Sequence, residues 1–135
     1  MSDLIVFDTS VLVDHLRTDC HRQRLETLTG VVRNCAVVMA ELGRGATTAA
    51  EREFLRVLAT NHPTLTPTEK NWLESGQILA KMRTDYGYTS YKLRDLHFDV
   101  LIALTARTHG ARLITSNRTD FEAIHRYRKF QLEVW

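Results

Sequence analysis

The sequence LIVFDTSVL (residues 4–12) decides how the fold begins. Its first four residues, Leu4 to Phe7, form an unbroken apolar run of strand-forming types, which is typical of a strand buried on both faces of a parallel sheet. The run stops at Asp8, and Thr9 and Ser10 follow with hydroxyl groups suited to capping a helix. The stretch therefore predicts a buried strand that carries a carboxylate at its own carboxyl end.

Short apolar runs and helical segments alternate along the rest of the chain. We predict further strands at Cys35–Met39 (CAVVM), in ARLITSN (111–117) and in QLEVW (131–135). Helices are predicted at about 10–17, over 21–30 with an end at Gly30, at 49–59, from a start at Thr66, Pro67 and Glu69 to about 85–87, over 97–110 and over 119–127. This alternation predicts an α/β fold with a mainly parallel, doubly wound sheet flanked by helices.

The bulk properties are those of an ordinary globular chain. Its 135 residues suit one domain spanning 1–135, with 44% hydrophobic and 25% charged residues. The net charge of +2 permits nucleic-acid contact through a local patch without requiring it. Cys20 and Cys35 are isolated cysteines, so neither a disulfide framework nor a zinc site is expected. With no secretion signal and no membrane-spanning stretch in the sequence, we expect a cytoplasmic protein.

Three polar residues follow predicted strands. Asp8 ends the first strand, Glu41 comes just after CAVVM, and Asn117 comes just after ARLIT. In open parallel sheets, chemistry collects beyond the carboxyl ends of the strands. We therefore expect these three side chains to lie along the same edge.

A fourth polar residue stands inside the most apolar helix. The segment HFDVLIALTA is apolar on every side, and Asp99 lies near its predicted start. A buried carboxylate requires a cation, several donors or a shifted pKa. Asp99 could simply accept from the first N–H groups of that helix. If it instead joins Asp8 and Glu41, a hard divalent cation such as Mg²⁺ or Mn²⁺ would relieve the repulsion among the carboxylates.

The segments FDTSVLVDHL, MAEL, FDVLIALTARTHGARLITSN and RTDF, taken together, resemble the PIN-domain ribonucleases, and more narrowly the VapC-like toxins of type II toxin–antitoxin pairs. The resemblance implies a PIN-like doubly wound fold and a Mg²⁺- or Mn²⁺-dependent endoribonuclease that cuts structured RNA such as transfer or ribosomal RNA. It also implies a homodimer and a cognate VapB-like antitoxin that occupies the active-site cleft.

The resemblance also assigns residues to the site. Asp8, Glu41 and Asp99 match the acidic triad, which implies that these carboxylates are the metal ligands. The fourth acidic position departs from the common pattern. Many members have a carboxylate where this chain has Asn117, whereas others have asparagine there and an aspartate three residues later, as with Asp120. Asp120 therefore has two readings, as a site residue or as the cap of a helix starting near Phe121.

We expect phosphodiester hydrolysis by metal-activated water. Asp8 and Asp99 would bind the ion, while Glu41 would ligate it through water or accept a proton from the nucleophile. Thr9 and Asn117 would orient ligands or a phosphate oxygen, although Thr9, like Ser10, could instead be a helix cap. The alternative to an enzyme is a catalytically inert PIN-like module that binds RNA or protein.

The segment MRTDYGYTSYKLRD (82–95) is the candidate RNA-binding stretch. Arg83, Lys92 and Arg94 interleave with Tyr86, Tyr88 and Tyr91, a combination that can bind phosphates and stack on unpaired bases. The same segment could be a solvated connector whose tyrosines cover the core. Arg44, beside Glu41, is a second candidate for contact with a phosphate or with an antitoxin carboxylate.

Overall fold

In the computed structural model, which describes residues 3–135, five parallel strands form one sheet in the order β3-β2-β1-β4-β5. The strands are β1 (Leu4–Phe7), β2 (Val31–Cys35), β3 (Thr64–Leu65), β4 (Arg112–Thr115) and β5 (Gln131–Val134). Seven helices in that part of the chain join and flank them: α1 (Thr9–Thr18), α2 (Arg22–Thr27), α3 (Ala36–Gly45), α4 (Ala49–Asn61), α5 (Glu69–Tyr86), α6 (Ser90–Thr108) and α7 (Arg118–His125). The predicted α/β class with a doubly wound parallel sheet is confirmed.

The chain reverses its direction of winding beside β1. It moves outward from β1 to β2 and β3, then returns to place β4 and β5 on the other side of β1. Phe7 pairs with Ile114, so β1 and β4 end at the same level. A crevice opens beyond the strand ends at such a switch point, which is where ligands bind in open α/β sheets.

Helix α6 forms the centre of the packing, as its composition predicts. Its residues from Val100 to Ala106 are all buried, and Ile5 and Val6 of β1 are completely inaccessible to solvent. Burying this many aliphatic side chains is the main source of folding free energy, at about 1.5 to 3 kcal/mol for each large one before conformational entropy is counted. The core therefore anchors the helix that carries Asp99.

The predicted strand at Cys35–Met39 was wrong: β2 is Val31–Cys35, and residues 36–45 form α3. The sequence VVRNC is unusually polar for an inner strand. Its asparagine is tolerated there because the Asn34 side chain donates to the carbonyl oxygens of Leu58 and His62, at 2.8 and 3.0 Å. Val37 and Val38 are buried on α3, so their branched side chains are accommodated in a helix by tertiary packing. Glu41 consequently lies on a helix rather than directly after a strand.

Helix boundaries differ from the prediction at three further places. Helix α2 ends at Thr27 rather than Gly30, and Gly30, with φ +131°, instead turns the chain into β2. Helix α5 is capped by Thr68, not Thr66: the Thr68 hydroxyl accepts from the Asn71 N–H, and the Asn71 side chain accepts from the Thr68 N–H. Helix α6 begins at Ser90, so only residues 87–89 of the expected connector 82–95 lie outside a helix.

No helix within residues 3–135 combines the length and the apolar character needed to cross a bilayer.

Candidate active site

Asp8 is buried at the carboxyl end of β1, where hydroxyl groups hold one of its oxygens. Its Oδ2 accepts hydrogen bonds from Ser10 Oγ at 2.7 Å and from Thr115 Oγ1 at 2.8 Å. These hydroxyls in turn accept from the backbone N–H groups of Ser116 and Asn117. Each hydroxyl is thereby oriented with its proton toward Asp8. Among residues 3–135 we find no hydrogen bond to Asp8 Oδ1, which leaves that oxygen free to bind a ligand.

The Thr9 hydroxyl belongs to the site rather than to a helix cap. Thr9 lies in the first turn of α1 and donates to Oε1 of Glu41 at 2.8 Å, which links α1 to α3. Ser10 likewise donates to Asp8, so the reading of Thr9 and Ser10 as caps was wrong. The residue that occupies the cap position of α1 is Asp8, and its side chain makes no capping bond. Both hydroxyls therefore orient site carboxylates.

Asp99 lies in the middle of α6, and not near its start. Nine helical residues precede it in α6, and the helix is capped by Thr89, whose side chain accepts from the Lys92 N–H. The alternative in which Asp99 accepts from the first N–H groups of its helix is thereby excluded. The Asp99 side chain is half-buried and makes no hydrogen bond or ion pair within residues 3–135.

Burial and the charges of neighbouring carboxylates raise the pKa values of Asp99 and Glu41. Burial, followed by the negative charges of Asp8, Glu41 and Asp120, raises the pKa of Asp99 to about 8, and only Lys92 opposes the rise. Burial also raises the pKa of Glu41; the Thr9 hydrogen bond and Arg44 oppose that rise, whereas the Asp8 charge adds to it. The charges of Asp8, Glu41 and Asp99 therefore act on one another at the switch point, where negative charge is in excess.

The fourth acidic position is organised by Asn117. Asn117 is the cap of α7: its Oδ1 accepts from the Asp120 N–H at 3.4 Å, while its Nδ2 donates to Asp120 Oδ2 at 3.1 Å. The reading of Asp120 as the cap was wrong, because Asp120 is the third residue of α7. Its other oxygen, Oδ1, accepts from Lys92 Nζ at 2.9 Å. Both oxygens of Asp120 are thus engaged by protein donors.

The donor set suits a hard divalent ion. Asp8 Oδ1, Glu41 Oε2 and both oxygens of Asp99 make no hydrogen bond within residues 3–135, and carboxylate oxygens are what Mg²⁺ and Mn²⁺ prefer. In that same part of the chain, no three Asp, Glu, His or Cys side chains are already arranged closely enough to hold an ion. Binding would therefore require the carboxylates to rotate inward or to act through water, and the metal site stays a prediction.

The predicted RNA-binding stretch forms an aromatic and basic surface next to the site. Tyr86 and Tyr88 stack at 5.0 Å, and Lys92 Nζ lies 5.8 Å from the Tyr88 ring. Tyr91 is 74% exposed, and the Arg94 guanidinium lies 5.2 Å from its ring. The surface thus continues from Asp120 through Lys92 to the tyrosines. The reading in which all three tyrosines cover the core does not hold for Tyr91.

Sequence reasoning missed two contributors to the site. Thr115 is the last residue of β4, and its hydroxyl was overlooked because an apolar strand normally ends without chemistry. The sequence pattern indicates Lys92 only as an RNA contact, whereas Lys92 on α6 pairs with Asp120 on α7. The spacing of Lys92, two helical turns before Asp99, indicates a cation on the same side of the helix as that carboxylate. Its partner Asp120 cannot be identified without the packing of α6 against α7.

Comparison with known proteins points to one family. The family model described as "PIN domain" matches residues 5–127. No curated protein shows significant sequence similarity to the chain. Among solved structures, VapBC2 from Rickettsia felis bound to a DNA fragment from its promoter is similar at a TM-score of 0.73 and 20% identity, with 98% of each chain covered. DNA-bound VapBC from Salmonella typhimurium gives 0.71 and 21%, covering 100% of this chain and 99% of that one.

A further similar structure is VapC20 from Mycobacterium tuberculosis, described as a sarcin-ricin loop cleaving toxin. It gives a TM-score of 0.64 and 18% identity, with 88% of this chain and 94% of that chain covered. At these identities the likeness establishes a shared fold.

Proposed function

Because the chain belongs to the PIN domain family, we propose that it is a Mg²⁺- or Mn²⁺-dependent endoribonuclease acting on structured RNA, and that it is the toxin of a toxin–antitoxin pair. The observation that carries the proposal is the group of Asp8, Glu41 and Asp99 at the switch point, where free carboxylate oxygens and excess negative charge match the needs of a divalent cation. The RNA class is supported by the sarcin-ricin loop cleaving toxin among the structural relatives.

The residues have distinct roles in this proposal. Asp8 and Asp99 would hold the ion, and Glu41 would complete the site through water or accept a proton from the attacking water. When bound, the ion lowers the pKa of water and neutralises charge on the phosphoryl oxygens. Thr9 orients the Glu41 carboxylate, while Thr115 and Ser10 fix that of Asp8. Asn117 acts on Asp120 rather than on a phosphate oxygen.

An apolar groove beside the site supports an antitoxin partner. Val13 of α1, Leu42 of α3, and Phe54 and Leu55 of α4 line it, and Thr9 and Glu41 lie at the end nearest the active site. The cavity in this groove has a volume of about 90 Å³, which suits one or two apolar side chains that project from a partner's helix or extended peptide. Since several structural relatives are VapBC complexes, we propose that a VapB-like antitoxin binds here. A homodimer, a single domain over residues 1–135 and a cytoplasmic location complete the proposal.

A metal titration with labelled structured RNA tests the enzymatic proposal. Cleavage should require Mg²⁺ or Mn²⁺, stop on addition of EDTA, and fall to background in Asp8→Asn and Asp99→Asn. Glu53→Gln is the matched control, because Glu53 is an exposed acid on α4 that pairs with Arg56. Cleavage that persists in EDTA, or in Asp99→Asn, would contradict the assignment. RNA binding without metal-dependent cleavage would instead favour the inert module.

A further inference from the structure

A cationic side chain of the chain itself lies at the edge of the candidate site. Lys92 Nζ donates to Asp120 Oδ1 at 2.9 Å, and the two side chains are only 37% and 20% exposed. Lys92 precedes Asp99 by seven residues, about two turns of α6, so both side chains project from the same side of that helix. The ammonium group thus lies between α6 and α7, at the edge of the carboxylate group.

The ion pair with Lys92 distinguishes Asp120 from the other three acidic residues of the site. Asp8, Glu41 and Asp99 each keep at least one oxygen without a protein donor among residues 3–135. The side-chain contacts of Asp8 and Glu41 in that range are with hydroxyls, and Asp99 has none. Asp120 differs, because Lys92 holds one of its oxygens and Asn117 the other. A metal ion bound by Asp120 would have to share an oxygen with the Lys92 ammonium or with the Asn117 amide, and the positive charge of Lys92 would repel the ion.

We propose that Lys92 takes the place of a second metal ion: it holds Asp120 out of the coordination shell, so that the site binds one divalent ion through Asp8, Glu41 and Asp99. The inference rests on the proposed function and deepens it. Lys92 is a positioning residue here, since it acts through Asp120. The net charge of the site is consistent with one ion. The ion pair of Lys92 with Asp120 adds no net charge, and the charge of the other three carboxylates exceeds that of one divalent ion by a single unit.

Counting bound Mn²⁺ on the full chain, by calorimetric titration and by electron paramagnetic resonance of the free ion, tests the inference without relying on activity. The wild-type protein should bind close to one Mn²⁺. Lys92→Met frees a carboxylate oxygen of Asp120 beside Asp99, so the number bound should rise toward two, the arrangement of two-metal nucleases. A merely structural clamp between α6 and α7 would not produce that gain.

The charge-balanced double variant Lys92→Met with Asp120→Asn provides the sharpest comparison. It removes the pair without leaving an unpaired charge, so it should fold and should bind one Mn²⁺ with the wild-type affinity, to within about threefold. If Lys92→Met alone does not fold, this variant still tests whether Asp120 lies outside the coordination shell, because loss of a metal ligand would lower the affinity. Lys81→Met, an exposed lysine on α5, is the matched control and should change neither the number of ions nor the affinity.

The outcomes separate this inference from the proposed function. Wild-type protein that binds two Mn²⁺, a double variant that loses affinity tenfold or more, or a Lys92→Met variant that still binds one ion would each overturn the role of Lys92 alone. Wild-type protein that binds no Mn²⁺ would refute the metal-dependent nuclease, and the role of Lys92 with it.

Discussion

Thr115 Oγ1 donates a hydrogen bond to Asp8 Oδ2 at 2.8 Å, and this bond joins the ends of β4 and β1 across the switch point of the sheet. The Thr115 hydroxyl is oriented by the Asn117 N–H, which donates to it at 2.9 Å. The bond therefore fixes the Asp8 carboxylate from the neighbouring strand and leaves Oδ1 without a hydrogen-bond donor among residues 3–135.

Thr115→Val should remove the hydroxyl that orients the Asp8 carboxylate while preserving the volume of the side chain. We expect the free energy of unfolding to fall by about 1 to 3 kcal/mol, because the Asn117 N–H loses its acceptor and Asp8 loses a donor. Affinity for Mn²⁺ should fall by about tenfold or more, the usual effect of removing a group that orients a metal ligand. Chemical denaturation and calorimetric titration measure the two effects.

Thr105→Val is the control for that variant. Thr105 is also fully buried, but its hydroxyl donates to the Leu101 carbonyl within α6. It should therefore leave Mn²⁺ affinity unchanged. Equal losses of affinity in both variants would show that the Thr115 effect arises from general disturbance of the core.

Features encoded by local patterns were predictable from the sequence. The apolar run at residues 4–7 identified β1, and the all-round apolar composition before Gly110 identified the buried part of α6. Since parallel strands share an edge at their carboxyl ends, the order of residues along the chain is enough to assign Asp8 and Asn117 to the same edge.

Features that depend on contacts between distant elements were not predictable. Cys35–Met39 reads as a strand because its valines favour strands, and only the packing of Val37 and Val38 against the core makes that segment a helix. Asn34 is accommodated in an inner strand because its amide donates to two carbonyls that are distant in sequence, that of Leu58 in α4 and that of His62 directly after α4. The ion pair of Lys92 with Asp120 likewise depends on how α6 lies against α7.

The start of α5 provides a direct test of a corrected boundary. Thr68→Ala should lower the free energy of unfolding by about 1 kcal/mol, because the Thr68 hydroxyl accepts from the Asn71 N–H. Thr66→Ala, at the position that the sequence pattern favoured, should have an effect of less than about 0.5 kcal/mol. Urea denaturation of both variants measures the difference. A larger loss for Thr66→Ala would mean that the helix begins where the capping pattern predicted.

The exposed pair of Tyr91 and Arg94 provides a test of RNA contact that does not depend on cleavage. Tyr91→Ala should weaken binding of single-stranded RNA in EDTA by about fivefold or more, since stacking of a base on an aromatic ring contributes about 1 to 3 kcal/mol. Trp72→Ala is the control, because Trp72 is a 50% exposed aromatic residue at the start of α5. Fluorescence anisotropy measures both. Equal affinities for wild type and Tyr91→Ala would remove Tyr91 from the RNA-binding surface.

The raised pKa of Asp99 gives the metal-free protein a characteristic dependence on pH. The unfolded chain loses the Asp99 proton near pH 3.8, whereas the folded protein keeps it up to about pH 8. Between those values the folded state binds the extra proton, so its stability should fall as the pH rises through this window and then level off. Thermal melting in EDTA over that range measures the slope, which Asp99→Asn should remove.

Mn²⁺ should reverse this dependence, because the ion binds the deprotonated carboxylate and stabilises the folded state more strongly as the pH rises. Asp95→Asn is the control: Asp95 is exposed on the same helix, one turn before Asp99, and its replacement should leave both slopes unchanged. If Asp99→Asn kept the wild-type slope, the negative charge of the site would have to be relieved by another group. A reversal by Mn²⁺ that disappears in Asp99→Asn would instead show that the proton and the ion compete for the same carboxylate.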